Sequence, residues 1–168
     1  MIRAENKNDI EKIYYLVKTV FKRAEYSDGK EHELVNALRN STAFIPQLSL
    51  VAEIDDVIVG HILFSKIKIG DSIELALAPL SVLPEYQRQG IGTALMKEGH
   101  KIARELGYNY SIVLGSEKYY PKVGYTSAKK FGILPPFDVP SDNFMVLPLC
   151  DENIKVSGIV EYAKEFGL

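Results

Sequence analysis

Residues 75–92 read LALAPLSVLPEYQRQGIG, an apolar segment with one internal proline, followed by a loop that contains two glycines. Pro79 has no backbone N–H to donate to a sheet ladder, so it marks an edge or a bulge in a strand that otherwise resembles a central one. A bulge lets this strand separate from a parallel neighbour. The backbone groups near residues 80–82 are then free to bind a ligand.

The loop at residues 87–92, QRQGIG, leads directly into a helical pattern. Glycines allow a backbone to approach a ligand closely, and the free N–H groups at a helix start attract anions. We therefore interpret the loop as a candidate cradle for a pyrophosphate, with an ordinary strand-to-helix turn as the alternative. No GxxxxGK[ST] string occurs, which excludes a P-loop, and Leu95 stands where a dinucleotide-binding fingerprint needs its third glycine.

The segments before the loop predict an antiparallel meander of three strands. They are rich in β-branched residues and are separated by short turns at Asp55-Asp56 and Gly70-Asp71. The predicted strands cover residues 50–54, 57–69 and 72–83.

The segments after the loop predict a crossover to a parallel strand. Apolar residues recur at helical spacing over 91–106, Gly107 is placed to end that helix, and residues 110–114 form a short apolar run. A strand, a crossover helix and a second strand form a βαβ unit, so residues 110–114 should run parallel to the third meander strand. The predicted fold class is therefore α+β, with a mixed central sheet flanked by helices.

The rest of the chain predicts shorter elements. Asn8, with Glu11 three residues later, predicts the N-cap of a first helix that starts near Ile10. Residues 154–166 fit neither a helix nor a strand pattern unambiguously. The remaining predictions are strands over 2–4, 125–128 and 143–149 and helices over 29–39 and 116–122.

Composition narrows the class of protein. With 168 residues, 46% of them hydrophobic, the chain is expected to form a single domain over residues 1–168. A net charge of −2 argues against a general nucleic-acid partner, and no apolar run approaches the length of a membrane span. One cysteine excludes an internal disulfide and a Cys-rich zinc site, and the polar start has no signal-peptide pattern. We expect a cytoplasmic protein with no metal, no membrane partner and no nucleic-acid partner.

Two motifs together resemble the GNAT N-acetyltransferases. A strand, a Q-x-x-G-x-G loop and a helix form the acetyl-CoA motif of that family, and Val82, Pro84, Gln87, Gly90 and Gly92 match its positions. The later segments LG, YYP and GY within residues 114–125, with FMVLPL at 144–149, resemble the YhbS-like branch of predicted acetyltransferases. The resemblance covers nearly the whole chain and implies a GNAT fold, in which a parallel pair of strands is splayed at a bulge.

The resemblance implies acetyl-CoA (coenzyme A) as a co-substrate bound largely by backbone groups. The pantetheine arm would lie beside Ser81 and Val82, and the amide near Leu80 would bind the acetyl carbonyl as an oxyanion donor. The loop and the helix start would hold the pyrophosphate through Gln87, Arg88, Gln89, Gly90, Ile91, Gly92 and Thr93.

The catalytic residues follow the resemblance only in part. Tyr120 matches the family position that protonates the departing thiolate; the alternative is a buried aromatic, which we expect for Tyr119. Ala76 occupies the position where many members carry a glutamate base. Glu74, two residues earlier on the same face of the strand, is the candidate base through a water, and a solvated or ion-paired role is its alternative. Glu85 and Glu117 are further options for the base.

The function implied is an N-acetyltransferase that moves an acetyl group to a primary amine by direct transfer in a ternary complex. The alternative is a catalytically weak or inactive acyl-CoA-binding module on the same fold, which the missing glutamate at Ala76 supports. The expected acceptor is a small-molecule or peptide amine, and the expected state is a monomer or homodimer.

Overall fold

The computed structural model of the protein describes residues 1–22, 24, 27–150 and 155–168. Three α-helices are present in these residues: α1 (Ile10–Phe21), α2 (Glu31–Arg39) and α3 (Ile91–Glu105). The strands, in chain order, are β1 (Ile2–Ala4), β2 (Ser49–Ile54), β3 (Val57–Ile69), β4 (Ser72–Val82), β5 (Tyr110–Leu114), β6 (Thr126–Ser127), β7 (Ile133–Leu134), β8 (Phe144–Pro148) and β9 (Gly158–Glu161).

The strands form one mixed sheet in the order β1-β2-β3-β4-β5-β8-β6. β2, β3 and β4 are the predicted antiparallel meander. Asp55 and Asp56 have φ of 49° and 63°, as a tight hairpin turn between β2 and β3 requires. β4 and β5 form the parallel pair, so the predicted α+β class with a mixed sheet is confirmed.

The bulge predicted at Pro79 lies in β4 and opens the sheet. On the β3 side the pairing runs from Ile62↔Leu80 to Phe64↔Leu77, so β4 carries one residue more than β3 across this interval. On the β5 side the pairing stops after Ala76↔Ile112. β4 and β5 therefore separate beyond Ala76, toward the loop that precedes α3.

The helices cover opposite faces of the sheet. Alternate residues of β3 point to the two sides: Ile62 and Phe64 pack with α3, and Leu63 packs with α1 and α2. Burial of these apolar faces is the main contribution that holds the helices on the sheet. The longest helix in the described ranges is α3, with 15 residues, and none of the helices there is long and apolar enough to cross a membrane.

Several local predictions need correction. The capping box lies two residues before the predicted one: Asn6 Oδ1 accepts from the N–H of Asn8, and Asp9 accepts from the N–H of Asn6. Arg3 fixes this arrangement because its guanidinium donates to both carboxylate oxygens of Asp9, at 2.7 and 3.1 Å. The helix predicted over 116–122 is a 3₁₀ turn over Tyr120–Val123, and part of the ambiguous region 154–166 is β9, beside β3 and β7. Residues 151–154 of this neighbourhood lie outside the described residues.

Candidate active site

The loop before α3 presents free N–H groups. Gly90 is the N-cap of α3, with φ of 84°, a left-handed conformation that favours glycine. The first turn, residues 91–93, follows immediately, and its N–H groups have no partner within the helix. Arg88 also has a positive φ, 63°, which is uncommon for a side chain other than Asn or Asp. The backbone is thus shaped to direct several donors and the positive end of a 15-residue helix to one spot.

Gln87 ties this loop to the end of β4. Its Nε2 donates to the carbonyl oxygen of Val82 at 2.9 Å. Gln89, in contrast, points back along the loop, and its Nε2 donates to the carbonyl oxygen of Glu85 at 3.3 Å. Gln87 therefore fixes the distance between the splayed strand and the helix start.

A cavity of about 610 Å³ joins the loop, the end of β4 and the 3₁₀ turn at Tyr120–Val123. We call it the loop cavity. Most of the predicted cofactor residues line it: Leu80, Val82, Gln87, Arg88, Gly90, Ile91, Gly92 and Thr93. Ser81 and Gln89 do not line it. The lining residues that were not among the predicted cofactor residues include Val20, Tyr86 and Lys122, together with Tyr119, for which a packing role was expected.

Ser81 differs from its neighbours because side chains alternate along a strand. Leu80 and Val82 line the loop cavity, whereas the Ser81 side chain is buried. Its hydroxyl has no hydrogen-bond partner within the described part of the chain. Any role of Ser81 in binding at this cavity is thus limited to its backbone groups.

Gly92 is required by the close approach of Tyr119. A Cβ atom on Gly92 would lie 2.5 Å from the Tyr119 hydroxyl oxygen, far inside van der Waals contact. Burial raises the pKa of Tyr119, and the nearby Thr93 side chain offsets part of this shift. The second glycine of the loop thus allows the Tyr119–Tyr120 segment to close over the start of α3.

Tyr120 stands where the cavities of the site meet. It lines the loop cavity and also a second cavity of about 410 Å³ at the splay, which we call the central cavity. Its ring makes edge contacts with Tyr119 and Tyr125, at centroid distances of 5.1 and 5.8 Å. Burial raises the pKa of its phenol well above the ordinary value, and the nearby Tyr119 adds to the shift. The Tyr120 hydroxyl is therefore protonated near pH 7. None of the described residues hydrogen-bonds to it, so its proton is available to a ligand.

Gly115 makes room for the Tyr120 ring. A Cβ atom there would lie 2.4 Å from Cε2 and 3.0 Å from Cδ2 of that ring. The LG and YYP segments that the sequence analysis singled out are therefore coupled by direct contact. The glycine after β5 fixes the position of the tyrosine five residues later.

The Tyr125 ring, which contacts the Tyr120 ring, is held by buried hydrogen bonds. The hydroxyl of Tyr125 lies 2.9 Å from Nε2 of His100 and 2.8 Å from the hydroxyl oxygen of Ser111. Burial, with a smaller contribution from the charge of Arg104, lowers the pKa of His100 to about 4. His100 is thus neutral near pH 7 and acts as a hydrogen-bond partner in the interior.

Glu74 lies away from this site. It is fully buried near the start of β4, whereas the splay opens toward the other end of the strand. The bulge begins four residues later, about 13 Å along an extended strand. The Oε1 atom of Glu74 accepts from the backbone N–H groups of Asn109 and Tyr110, at 2.8 and 3.1 Å. Its Oε2 atom accepts from the Ser72 hydroxyl at 2.6 Å. These bonds hold the start of β5 against β4.

The other acidic candidates are also engaged or peripheral. Glu117 is exposed, and its carboxylate accepts from the side-chain amide of Asn143 at 2.7 Å. Its own backbone N–H and then this amide lower the pKa of Glu117. Glu85 is exposed in the turn before the loop, and neither of these glutamates lines the loop cavity or the central cavity. In the described ranges no group of three or more His, Cys, Asp or Glu side chains is arranged to hold a metal ion.

Comparison with known proteins identifies the architecture. The model of the acetyltransferase (GNAT) family matches residues 10–125, more than half of the chain. The chain belongs to the GNAT family. This GNAT protein is 32% identical over 143 residues to the uncharacterized N-acetyltransferase YjhQ of Escherichia coli K12, covering 80% of this chain and 79% of YjhQ. The resemblance inferred from the two sequence motifs is thus confirmed, and the chain is an acetyltransferase by family.

Solved structures agree with this assignment. The GNAT protein YhbS from Escherichia coli, crystallised with CoA, matches with a TM-score of 0.90 at 28% identity, over 100% of this chain and 92% of YhbS. A GNAT acetyltransferase from Brucella melitensis, crystallised with acetyl-CoA, matches with a TM-score of 0.82 at 33% identity, over 99% and 97% of the two chains. The predicted GNAT fold is therefore confirmed.

Proposed function

We propose that this protein transfers an acetyl group from acetyl-CoA directly to a primary amine in a ternary complex. The observation that carries the proposal is the opening of the sheet after Ala76, where Tyr120 lies between the loop cavity and the central cavity. The loop cavity suits the acetyl donor, and the central cavity suits the amine acceptor. The two similar proteins crystallised with CoA and with acetyl-CoA support acetyl-CoA as the donor.

The loop cavity suits the diphosphate end of the cofactor. The free N–H groups of residues 90–93 and the helix dipole attract the negative phosphates. Arg88 and Lys122 add two cationic side chains to the same lining. The pantetheine arm would then run beside Val82 toward the bulge, where the amide near Leu80 would donate to the acetyl carbonyl. A fixed donor at that point stabilises the negative charge that develops on the oxygen.

Tyr120 would act as the proton donor to the leaving group. The neutral amine attacks the carbonyl carbon, a C–N bond forms and the C–S bond breaks. The Tyr120 hydroxyl gives its proton to the departing sulfur, and the nitrogen loses a proton to the phenolate that remains. Burial keeps this phenol protonated before the reaction, which is the state that the step requires.

We propose no catalytic role for Glu74. All its hydrogen bonds go to the first residues of β5 and to Ser72, and it lines neither the loop cavity nor the central cavity. A general base needs to reach the proton directly or through one water. The stability of the β4–β5 pair is the role that its contacts support.

The experiment is acetyl transfer with Tyr120→Phe. Thiol release from acetyl-CoA is measured over a panel of primary amines, and acetyl-CoA binding is measured by calorimetry. Loss of a general acid lowers kcat by about 10²–10⁴-fold, with the acetyl-CoA Kd nearly unchanged. Tyr15→Phe, at an exposed position of α1, is the matched control and should behave as wild type.

Two results would contradict the proposal. Full activity of Tyr120→Phe would remove the tyrosine from the mechanism. Binding of acetyl-CoA by the wild-type protein without thiol release on any amine would support the acyl-CoA-binding module instead.

A further inference from the structure

The central cavity contains one charged side chain among its described lining residues. That side chain is Glu31, at the start of α2. The rest of the described lining is apolar apart from the hydroxyls of Ser27 and Tyr120: Phe21, Ala24, Leu77, Ala78, Pro79, Leu80, Val113 and Leu114. A carboxylate on such a wall has lost part of its hydration and gains from a cationic partner.

Ser27 positions the Glu31 carboxylate without neutralising it. The Ser27 hydroxyl oxygen lies 2.6 and 2.7 Å from the two carboxylate oxygens and accepts from the N–H of Gly29 at 2.9 Å. A hydroxyl has one proton, so it satisfies one carboxylate oxygen at a time and leaves the other with free acceptor sites. No basic side chain within the described ranges forms a salt bridge with Glu31.

A third cavity lies next to the central cavity. This apolar cavity, of about 320 Å³, shares Leu77, Ala78, Val113 and Leu114 with the central cavity. Its outer wall is aromatic, formed by Phe137, Tyr162 and Phe166. None of its described lining side chains is charged. A ligand group in this space would therefore be apolar.

The geometry points to an acceptor that is a primary amine carrying an apolar group, such as an arylalkylamine. We infer that Glu31 binds the ammonium in the central cavity, beside Tyr120, while the apolar group extends past Ala78 and Leu114, which line both cavities, into the apolar cavity. This inference rests on the proposed function, because it assigns the acceptor of that reaction. Glu31 serves recognition here, and the ammonium gives its proton to solvent water before the neutral amine attacks.

Calorimetry on the CoA-loaded protein tests both parts of the inference. The probes are 2-phenylethylamine, ethylamine, which lacks the apolar group, and 2-phenylethanol, which lacks the charge. 2-Phenylethylamine should bind at least about tenfold more tightly than 2-phenylethanol, since a hydrogen bond to a charged group contributes that much or more. It should also bind at least about tenfold more tightly than ethylamine, since burial of the phenyl group contributes a comparable amount. Glu31→Gln should remove the preference over 2-phenylethanol. Glu33→Gln, an exposed glutamate two residues later on the same helix, is the control and should change nothing.

A separate variant tests whether the apolar group of the acceptor binds in the apolar cavity. Phe166→Ala should reduce the preference for 2-phenylethylamine over ethylamine, and Phe131→Ala, outside the three cavities, should leave it unchanged. Equal binding by Glu31→Gln and wild type, or no binding of 2-phenylethylamine, would overturn the inference. Acetyl transfer without any effect of Glu31→Gln would refute the acceptor site alone, whereas the predicted binding pattern without transfer would refute the proposed function alone.

Discussion

Gly115→Ala should lower turnover by displacing Tyr120, because the new methyl group would lie 2.4 Å from Cε2 of that ring. Carbon atoms in contact are about 3.5–4.0 Å apart, so the ring has to move by roughly 1 Å. Overpacking of this kind costs about 1–3 kcal/mol of stability. A displacement of about 1 Å at a reacting group can lower the rate about 100-fold. We therefore expect kcat to fall about 100-fold while the folded protein still binds acetyl-CoA.

The assay compares kcat for thiol release in wild type, Gly115→Ala, Tyr120→Phe and the double variant, with acetyl-CoA affinity measured for each. If Gly115 acts by positioning the Tyr120 hydroxyl, the alanine should have little further effect on kcat once that hydroxyl is gone. A 100-fold loss in both backgrounds would show that the two substitutions act independently. That result would refute the reasoning about the contact, and an unchanged kcat for Gly115→Ala alone would refute it as well.

Three further predictions follow from single contacts. Glu74→Ala removes the carboxylate that accepts from the buried N–H of Tyr110 and the partly buried N–H of Asn109. Urea unfolding should therefore show a loss of about 2–5 kcal/mol, and kcat of the folded protein should stay near wild type; a large loss of kcat at unchanged stability would instead make Glu74 catalytic. Gly92→Ala has to displace the Tyr119 hydroxyl from 2.5 Å, so calorimetry should show weaker acetyl-CoA binding, and unchanged affinity would contradict the role of this contact. The folded-state pKa of His100 is lowered from 6.5 to about 4, so the unfolded chain takes up the proton first as the pH falls. The free energy of unfolding should then decrease by up to about 3 kcal/mol between pH 6.5 and 4. His100→Gln should flatten this part of the stability profile, and an equally steep decrease in the variant would refute the role of His100.

The parts of the fold that local chemistry determines were predictable from the sequence. Pro79 has no backbone N–H to donate to a regular sheet ladder, and the bulge in β4 lies at this position. The Asp55-Asp56 turn and the helix end at Gly107 depend on residues within one turn of chain, and both were located correctly. The loop residues 87–92 were recognised for the same reason, since glycines and a helix start carry their own conformational signal.

The features that long-range contacts determine were not predictable. Glu74 has the residue type and spacing of a candidate base, but its acceptor oxygens are used by N–H groups 35 and 36 residues later in the chain. Strand β7 has two residues and β9 has four, and each is defined only by its partner. Glu31 and Lys122 carry no motif of their own, and only the cavities show that they line the site.

A crystal structure of the protein with acetyl-CoA tests the central claim most directly, through two distances. The proposed mechanism predicts that the Tyr120 hydroxyl oxygen lies within about 3.5 Å of the thioester sulfur, and that a backbone N–H near Leu80 lies about 2.7–3.1 Å from the acetyl carbonyl oxygen. A thioester bound beyond the reach of the Tyr120 hydroxyl, or directed away from the bulge, would contradict it.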